Sequence, residues 1–339
     1  MPRLSREAWF GIVVGVLVVV TLGYVGFAAL QPSGSPANAA ATTVSDPRLR
    51  ALLAEPHLVF LKPSGADPTQ DVVSVAPLQQ GTTERFETGL HCQRAYFAGG
   101  HGVCVGRDLV GSGFFFDDSF TAGRTFSQPG LTSRARVSAD GKYASSTVFV
   151  TGHSYNSPGF STNTLITDVA TGSSVDLERF TVTKDGQRIQ APDFNFWGVT
   201  FAADGNRFYA TLGTNGHTYL IEGDVANRTA RVLTDGVECP SLSPDGTRIA
   251  YKHALPGAQR EWRLHVLDLR TMADTALAET RNVDDQAEWL DNSRVTYGLQ
   301  DQGPPATLDV NLWTVPANGS GTPTLFLAHA TSPAVVGRP

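Results

Sequence analysis

Two hydrophobic patterns divide the chain. From Trp9 to Leu30 the sequence is predominantly apolar, with no charge and no proline. At the helical rise such a run spans about 33 Å, enough for the hydrocarbon core of a bilayer. After residue 45 the pattern changes to short alternations of apolar and polar residues separated by small polar turns, the signature of half-buried strands. One phrase recurs among them: Ser-Pro-Asp-Gly-Thr-Arg-Ile-Ala-Tyr at Ser243 to Tyr251, Ala-Ala-Asp-Gly-Asn-Arg at Ala202 to Arg207 and Ser-Ala-Asp-Gly-Lys-Tyr at Ser138 to Tyr143. Weaker copies run from Phe97 to Val105 and from Trp289 to Tyr297. Each reads as strand, tight turn, strand, because Asp and Asn tolerate left-handed turn geometry and Gly enters it freely. A third strand follows in several units, as in Leu264 to Thr271 and Leu165 to Gly172, and then a fourth. Four strands per unit, repeated every few tens of residues, make the blades of a β-propeller.

The blades can be counted along the chain. Residues 91–133, 134–189, 194–237, 238–283 and 284–330 give blades two to six. Residues 57–89 supply only three strands and lack an inner one; Ser332 to Val336 has the right length to provide it by pairing with His57 to Leu61. Closure of this kind removes the open sheet edges that invite aggregation. The predicted fold is all-β, a six-bladed propeller of four-stranded antiparallel blades over 46–336, preceded by one N-terminal transmembrane helix. A short helix is expected between Asp46 and Glu55.

The Ser-Pro-Asp-Gly phrase, followed by a strand and then Val266-Leu-Asp-Leu-Arg-Thr271, resembles the WD40-like repeat of TolB-type propellers. The resemblance covers roughly residues 57 to 336 and is clearest in blade five. It implies a bacterial, extracytoplasmic six-bladed propeller that binds other proteins or serves as a non-catalytic domain. A repeat carries architecture more than activity.

Arg3 and Arg6 precede the apolar run, and no basic residue follows until Arg48. The positive-inside rule puts residues 1–8 in the cytoplasm, a signal anchor at 9–30, a flexible linker at 31–45 and the propeller outside the cell membrane. Ala37-Asn-Ala39 offers a cleavage site for the competing signal-peptide reading, but the run exceeds the usual length of a signal-peptide core. Gly11 and Gly15 have the spacing of a helix-dimer contact, so a homodimer through the anchor is a further expectation. Net charge is −6, and the first 30 residues hold two Arg and one Glu, which leaves −7 on the rest. That balance argues against nucleic acid or an anionic lipid surface as the propeller's partner.

Candidate chemistry is sparse. Cys92 and Cys104 fall close together in an oxidising compartment and are expected to form a disulfide, leaving Cys239 as a thiol. His91, Cys92, His101 and Cys104 also have the composition of a zinc site, but neighbours on an extended strand point to opposite faces, so no metal or other cofactor is expected. Gly152-His-Ser-Tyr-Asn156 misses the last glycine of a nucleophile elbow. No hydrolase-sized segment accompanies the repeats, and no catalytic residue is assigned. Reading the repeats in register places His91, Arg94, Arg134, Arg136, Asp193, Asn195, Glu238, Asp284, Asp285 and Glu288 at the channel mouth, basic on blades two and three and acidic on blades four to six. Such a mouth suits a peptide or a charged ligand. Phe114-Phe-Phe116 alternates, so Phe115 is expected to face outward as a second contact. The expected function is a membrane-tethered binding or scaffold module of the cell envelope, its partner another envelope protein or peptide. The alternative is a propeller hydrolase or lyase acting on an envelope sugar or lactone.

Overall fold

The recurring Asp-Gly phrases fold into one hydrogen-bonded turn, used repeatedly. At the fifth blade Ser243 Oγ donates to Asp245 Oδ1 (2.6 Å), which also accepts from Thr247 N (3.0 Å), while Arg248 N donates back to Ser243 Oγ (3.0 Å). At the third blade Ser138, Asp140, Lys142 and Tyr143 make the same three bonds at 2.6, 3.0 and 2.9 Å. Gly141 and Gly246 close these turns at φ 72° and 70°, a conformation that a side chain would strain. The computed structural model describes residues 46–64, 71–106, 111–150, 161–257, 261–300 and 310–338. The expected anchor and linker, and the Gly152 to Asn156 motif, lie outside the described residues; among those described, no helix is long and apolar enough to cross a membrane.

Six sheets follow one another around an axis. Blade one contains β1 (His57–Lys62), β2 (Val72–Pro77) and β3 (Phe86–His91). Blade two is β4 (Arg94–Ala98), β5 (His101–Val105), β6 (Ser112–Asp117) and β7 (Ala122–Ser127). Blade three is β8 (Leu131–Val137), β9 (Tyr143–Val150), β10 (Ser161–Asp168) and β11 (Ser174–Asp176). The chain then forms a hairpin, β12 (Thr181–Lys184) and β13 (Gln187–Ile189), before blade four, which is β14 (Asn195–Phe201), β15 (Arg207–Thr214), β16 (His217–Asp224) and β17 (Thr229–Asp235). Blade five is β18 (Glu238–Leu242), β19 (Arg248–Ala254), β20 (Trp262–Asp268) and β21 (Asp274–Ala276). Blade six is β22 (Glu288–Trp289), β23 (Arg294–Gln300), β24 (Val310–Pro316) and β25 (Thr324–Leu327). The last strand, β26 (Thr331–Val336), returns to blade one and pairs antiparallel with β1, His57 opposite Val336 and Leu61 opposite Thr331. The three-stranded start of the chain thus takes its inner strand from the tail.

Three boundaries differ from the sequence reading, the smallest being the start of blade three at Leu131 rather than Arg134. Residues 181–189 belong to blade four rather than blade three: β12 pairs in parallel with β17, Thr181 opposite Thr229, and covers an edge that would otherwise be open. His91 ends the outer strand of blade one, opposite Val72, instead of opening blade two.

Large side chains fill the space between blades. Phe97 stacks with Phe116 and Phe120 at 5.8 and 5.9 Å between centroids, and Trp289 and Tyr297 are wholly buried between blades five and six. Phe115 does not face outward: it is buried, and its ring packs on that of Phe126 from the neighbouring strand β7 at 5.2 Å. A helix, α1 (Pro47–Leu53), precedes β1; Asp46 caps it through Arg48 N (2.8 Å), and Leu49 is its buried contact with the core.

Candidate binding site at the channel mouth

The inner strands do not run straight into the axis. Each of four strand pairs carries a register shift: Thr132/Arg134 on β8, Trp197/Thr200 on β14, Glu238/Ser241 on β18, and Val59/Leu61 where β1 meets β26. These bulges bend the strand ends and re-aim their side chains. Gly198 (φ 65°), Cys239 (φ 49°) and Ser332 (φ 49°) occupy left-handed positions at three of them. Gly198 is required as well as permitted: a Cβ there would meet the Cys239 backbone at 2.6 Å.

The result is a mouth cavity of about 720 Å³. Its walls are Phe149, Trp197 and Trp262, with Leu131 at the rim, 72% exposed. Arg94, Arg134, Lys252, Glu238, Cys239 and Asp284 also line it. Lys252 Nζ lies 2.5 Å from Asp284 Oδ1 and 4.0 Å from the centre of the Trp262 ring, and its side chain is 4% exposed. Asp284 reaches Arg134 more distantly, at 3.5 Å. Burial raises the Asp284 pKa, but Lys252, Arg134 and Arg94 outweigh it and hold the carboxyl below its ordinary range. Glu238 Oε1 accepts from Trp262 Nε1 at 2.9 Å and so orients the indole wall. Arg94 makes its hydrogen bonds to main-chain oxygens of Ser133 (3.0 Å) and Gln93 (3.1 Å). Burial and the like charge of Arg134 lower the Arg94 pKa. Burial also opposes the charge on Arg134, but Cys239, Asp285 and Asp284 beside it prevail and raise its pKa.

Deeper on the axis the channel closes. Arg136 pairs with Glu288, donates to Ala287 O (2.7 Å) and Ser241 Oγ (3.2 Å), and lies 4.5 Å above the Tyr96 ring. Tyr96 OH donates to both oxygens of Glu288 (3.1 and 3.2 Å). Arg338, beyond the closing strand, completes the set through Glu288 and through Trp289 O (3.2 Å). The side chain of Glu288 is 2% exposed. These groups form a floor.

Of the ten residues read from the sequence as mouth residues, Arg94, Arg134, Glu238 and Asp284 line the cavity, and Asp285 lies just beneath it. Arg136 and Glu288 belong to the floor, two residues or more further along their strands than the mouth. Asp193 and Asn195 line neither space. Asp193 accepts from Asn215 N (2.6 Å) and Thr214 Oγ1 (2.7 Å), bonds that hold its carboxyl below the ordinary range, and Asn195 accepts from Thr162 N (2.8 Å) to tie blade three to blade four. His91 sits on β3 and lines neither space. The Cys92–Cys104 disulfide is not formed. Cys92 precedes β4 and donates its N–H to Asp71 O, whereas Cys104 stands opposite Ala95, three residues further on, and its Sγ points to His91 O at 3.4 Å. Among the described residues no three His, Cys, Asp or Glu gather as a metal-ligating group.

Lys252, Cys239, Trp262 and Trp197 were missing from the sequence reading of the mouth. Glu238 stands directly opposite Lys252, so counting across the Asp-Gly turn comes close, but the bulge at Cys239 and Pro240 shifts that count by one.

No family model matches the chain, and no curated protein matches it. Solved structures do. TolB from Acinetobacter baumannii superposes with a TM-score of 0.61 at 15% identity, over 83% of this chain and 66% of that one, so this chain spans slightly less than two thirds of its length. A chain of a nidogen/laminin complex superposes at 0.52 with 11% identity, over 83% of this chain and 97% of that one. At such identities the likeness is one of fold. The chain has a TolB-like six-bladed β-propeller fold.

Proposed function

We propose that this protein is a membrane-tethered binding module of the bacterial cell envelope, and that its site is the mouth cavity. The observation that carries the reading is the cavity's make-up. Three aromatic walls and a leucine rim offer apolar area, and charges of both signs stand around it, over a floor that shuts the channel. Pockets that hold ligands combine apolar walls with a few convergent polar groups in this way. The apolar run at 9–30 and Arg3 and Arg6 support tethering with the propeller outside the cytoplasm. The partner in this reading is an envelope protein or peptide.

The test places a photo-crosslinking residue at Leu131 of the full-length protein in living cells, with a second at Met272, an exposed position on blade five outside the mouth. A discrete product is expected from Leu131 and not from Met272, and Trp262→Ala should abolish it. A product that persists in Trp262→Ala, or that arises equally from Met272, moves the site away from the mouth. Topology has its own test: a reporter fused after Leu30 should be active only outside the cytoplasm.

A further inference from the structure

Next to the mouth cavity lies a narrow chamber that shares Arg94 and Arg134 with it and is walled further by Arg136, Tyr96 and Asp285. The chamber has room for about one water-sized group. Three guanidinium groups line it with Asp285; that of Arg136 is already held by Glu288, and Asp285 Oδ2 accepts from Gly298 N at 2.8 Å, so Arg94 and Arg134 are the cations left to meet a ligand. Nε of Arg134 and Nε of Arg136 are buried with no acceptor, and the Arg136 side chain is only 6% exposed. Arg94 has main-chain oxygens as its hydrogen-bond acceptors, and the close partner of Asp284 is Lys252 rather than Arg134. Buried donors left without an acceptor are costly, and guanidinium groups meet carboxylates with short, directional bonds.

We propose that this arginine chamber receives one oxygen of a carboxylate, and that the ligand of the mouth is an acid whose apolar body lies against Trp197, Trp262 and Phe149; the proposal rests on the mouth being the binding site. The chamber has space for one oxygen of a flat carboxylate, the other staying in the mouth, and not for a phosphate head with its larger set of oxygens. Asp284 and Glu238 at the rim also disfavour a dianion. The acid can be a small organic molecule or the C-terminus of a peptide, since both present the same group on an apolar body.

Full-length protein in detergent micelles carries its own reporters, Trp197 and Trp262. Tryptophan fluorescence would be titrated with phenylacetate and phenylacetamide, and with N-acetylphenylalanine and its amide. Each acid is expected to bind at least about tenfold more tightly than its amide, the difference one charge-assisted hydrogen bond supplies. Arg94→Gln should lower the ratio of acid to amide affinity, because one of the chamber's charged donors is lost. Preference for N-acetylphenylalanine over phenylacetate indicates a peptide terminus as the source, and the reverse a small acid. Equal binding of acid and amide, or no saturable binding of either acid, overturns the proposal. If Arg94→Gln does not fold, the acid–amide ratio on the unmodified protein decides. A missing acid preference alongside Trp262-dependent crosslinking at Leu131 sinks the chamber but keeps the mouth. Acid binding without that crosslinking leaves the chamber standing and removes the protein partner.

Discussion

Arg134 and Arg136 stand two residues apart on β8 and do different work. Two residues of extended chain move a side chain by about 7 Å along the strand. Over that distance the surroundings change from a cavity wall to a closed interior. Arg136 meets Glu288, Ser241, a main-chain carbonyl and the face of Tyr96, and Glu288 in turn is held by Tyr96 and Arg338. Arg134 meets one main-chain oxygen at 3.0 Å, the Cys239 side chain and one distant carboxylate. The floor commits its charges to one another, while the mouth keeps some uncommitted. Within a single ring of inner strands, stability is concentrated at one end and availability at the other.

The largest effect should come from breaking the floor's link to ring closure. Removal of residues 331–339 takes away β26, which pairs with β1, and Arg338, which holds Glu288. The expected outcome is loss of the cooperative thermal transition seen by circular dichroism. A melting temperature equal to that of the intact protein would disprove the view that closure and floor hold the ring together.

A single side chain comes next. Glu288→Ala leaves the buried guanidinium of Arg136 and the half-buried one of Arg338 facing each other without their shared carboxylate. Removing one partner of a buried pair costs about 3–5 kcal/mol. Denaturant unfolding of the full-length protein should show a loss of that order. A loss below about 1 kcal/mol, the size of a surface ion pair, would make floor and mouth energetically alike.

The floor end should also respond to pH. His57 is 4% exposed; its Nδ1 lies 2.8 Å from Glu55 O, which only accepts, so the ring donates from Nδ1, and Nε2 has no partner. Burial lowers the His57 pKa, against a smaller opposing contribution from Glu55 O. The folded ring therefore stays neutral where the unfolded one, with a pKa of about 6.5, takes up a proton. Stability from this group is complete above that value and falls as pH drops below it. Unfolding midpoints measured between pH 7.5 and 5 should decline, and His57→Asn, which preserves a donor to Glu55 O, should flatten the decline. The same slope in the variant would assign the pH response to other groups.

The sequence showed the floor's frame and missed its contents. The turns were legible because Ser138, Asp140, Ser243 and Asp245 bond to main chain a few residues away, a wholly local signal. The need for a borrowed inner strand was legible because strands can be counted. Arg136 and Glu288 were found as axial residues but placed at the wrong depth, since depth depends on where each strand starts relative to its neighbours. Lys252 was missed because it reaches the axis from a second strand, across a bulge that periodicity does not reveal. The Cys92–Cys104 expectation failed for a related reason: the boundary between blades one and two falls at Cys92, so the two cysteines are not opposed on neighbouring strands.

The smallest effect on stability should fall at the rim, and there the comparison is sharpest. Leu131 is 72% exposed, so its side chain contributes little to folding, yet it lines the mouth cavity. Leu131→Ser should change unfolding free energy by less than about 0.5 kcal/mol, as exposed substitutions usually do. If the apolar body of a ligand rests against this rim, partial loss of contact with one leucine weakens binding by about 1 kcal/mol, or roughly fivefold. Denaturant unfolding and the phenylacetate titration read the two quantities separately. A destabilisation above about 1 kcal/mol would place Leu131 within the fold rather than at its margin, and unchanged affinity would remove it from the binding surface. A variant that loses affinity while keeping its stability is the pattern the mouth predicts, and the opposite of the one expected for Glu288.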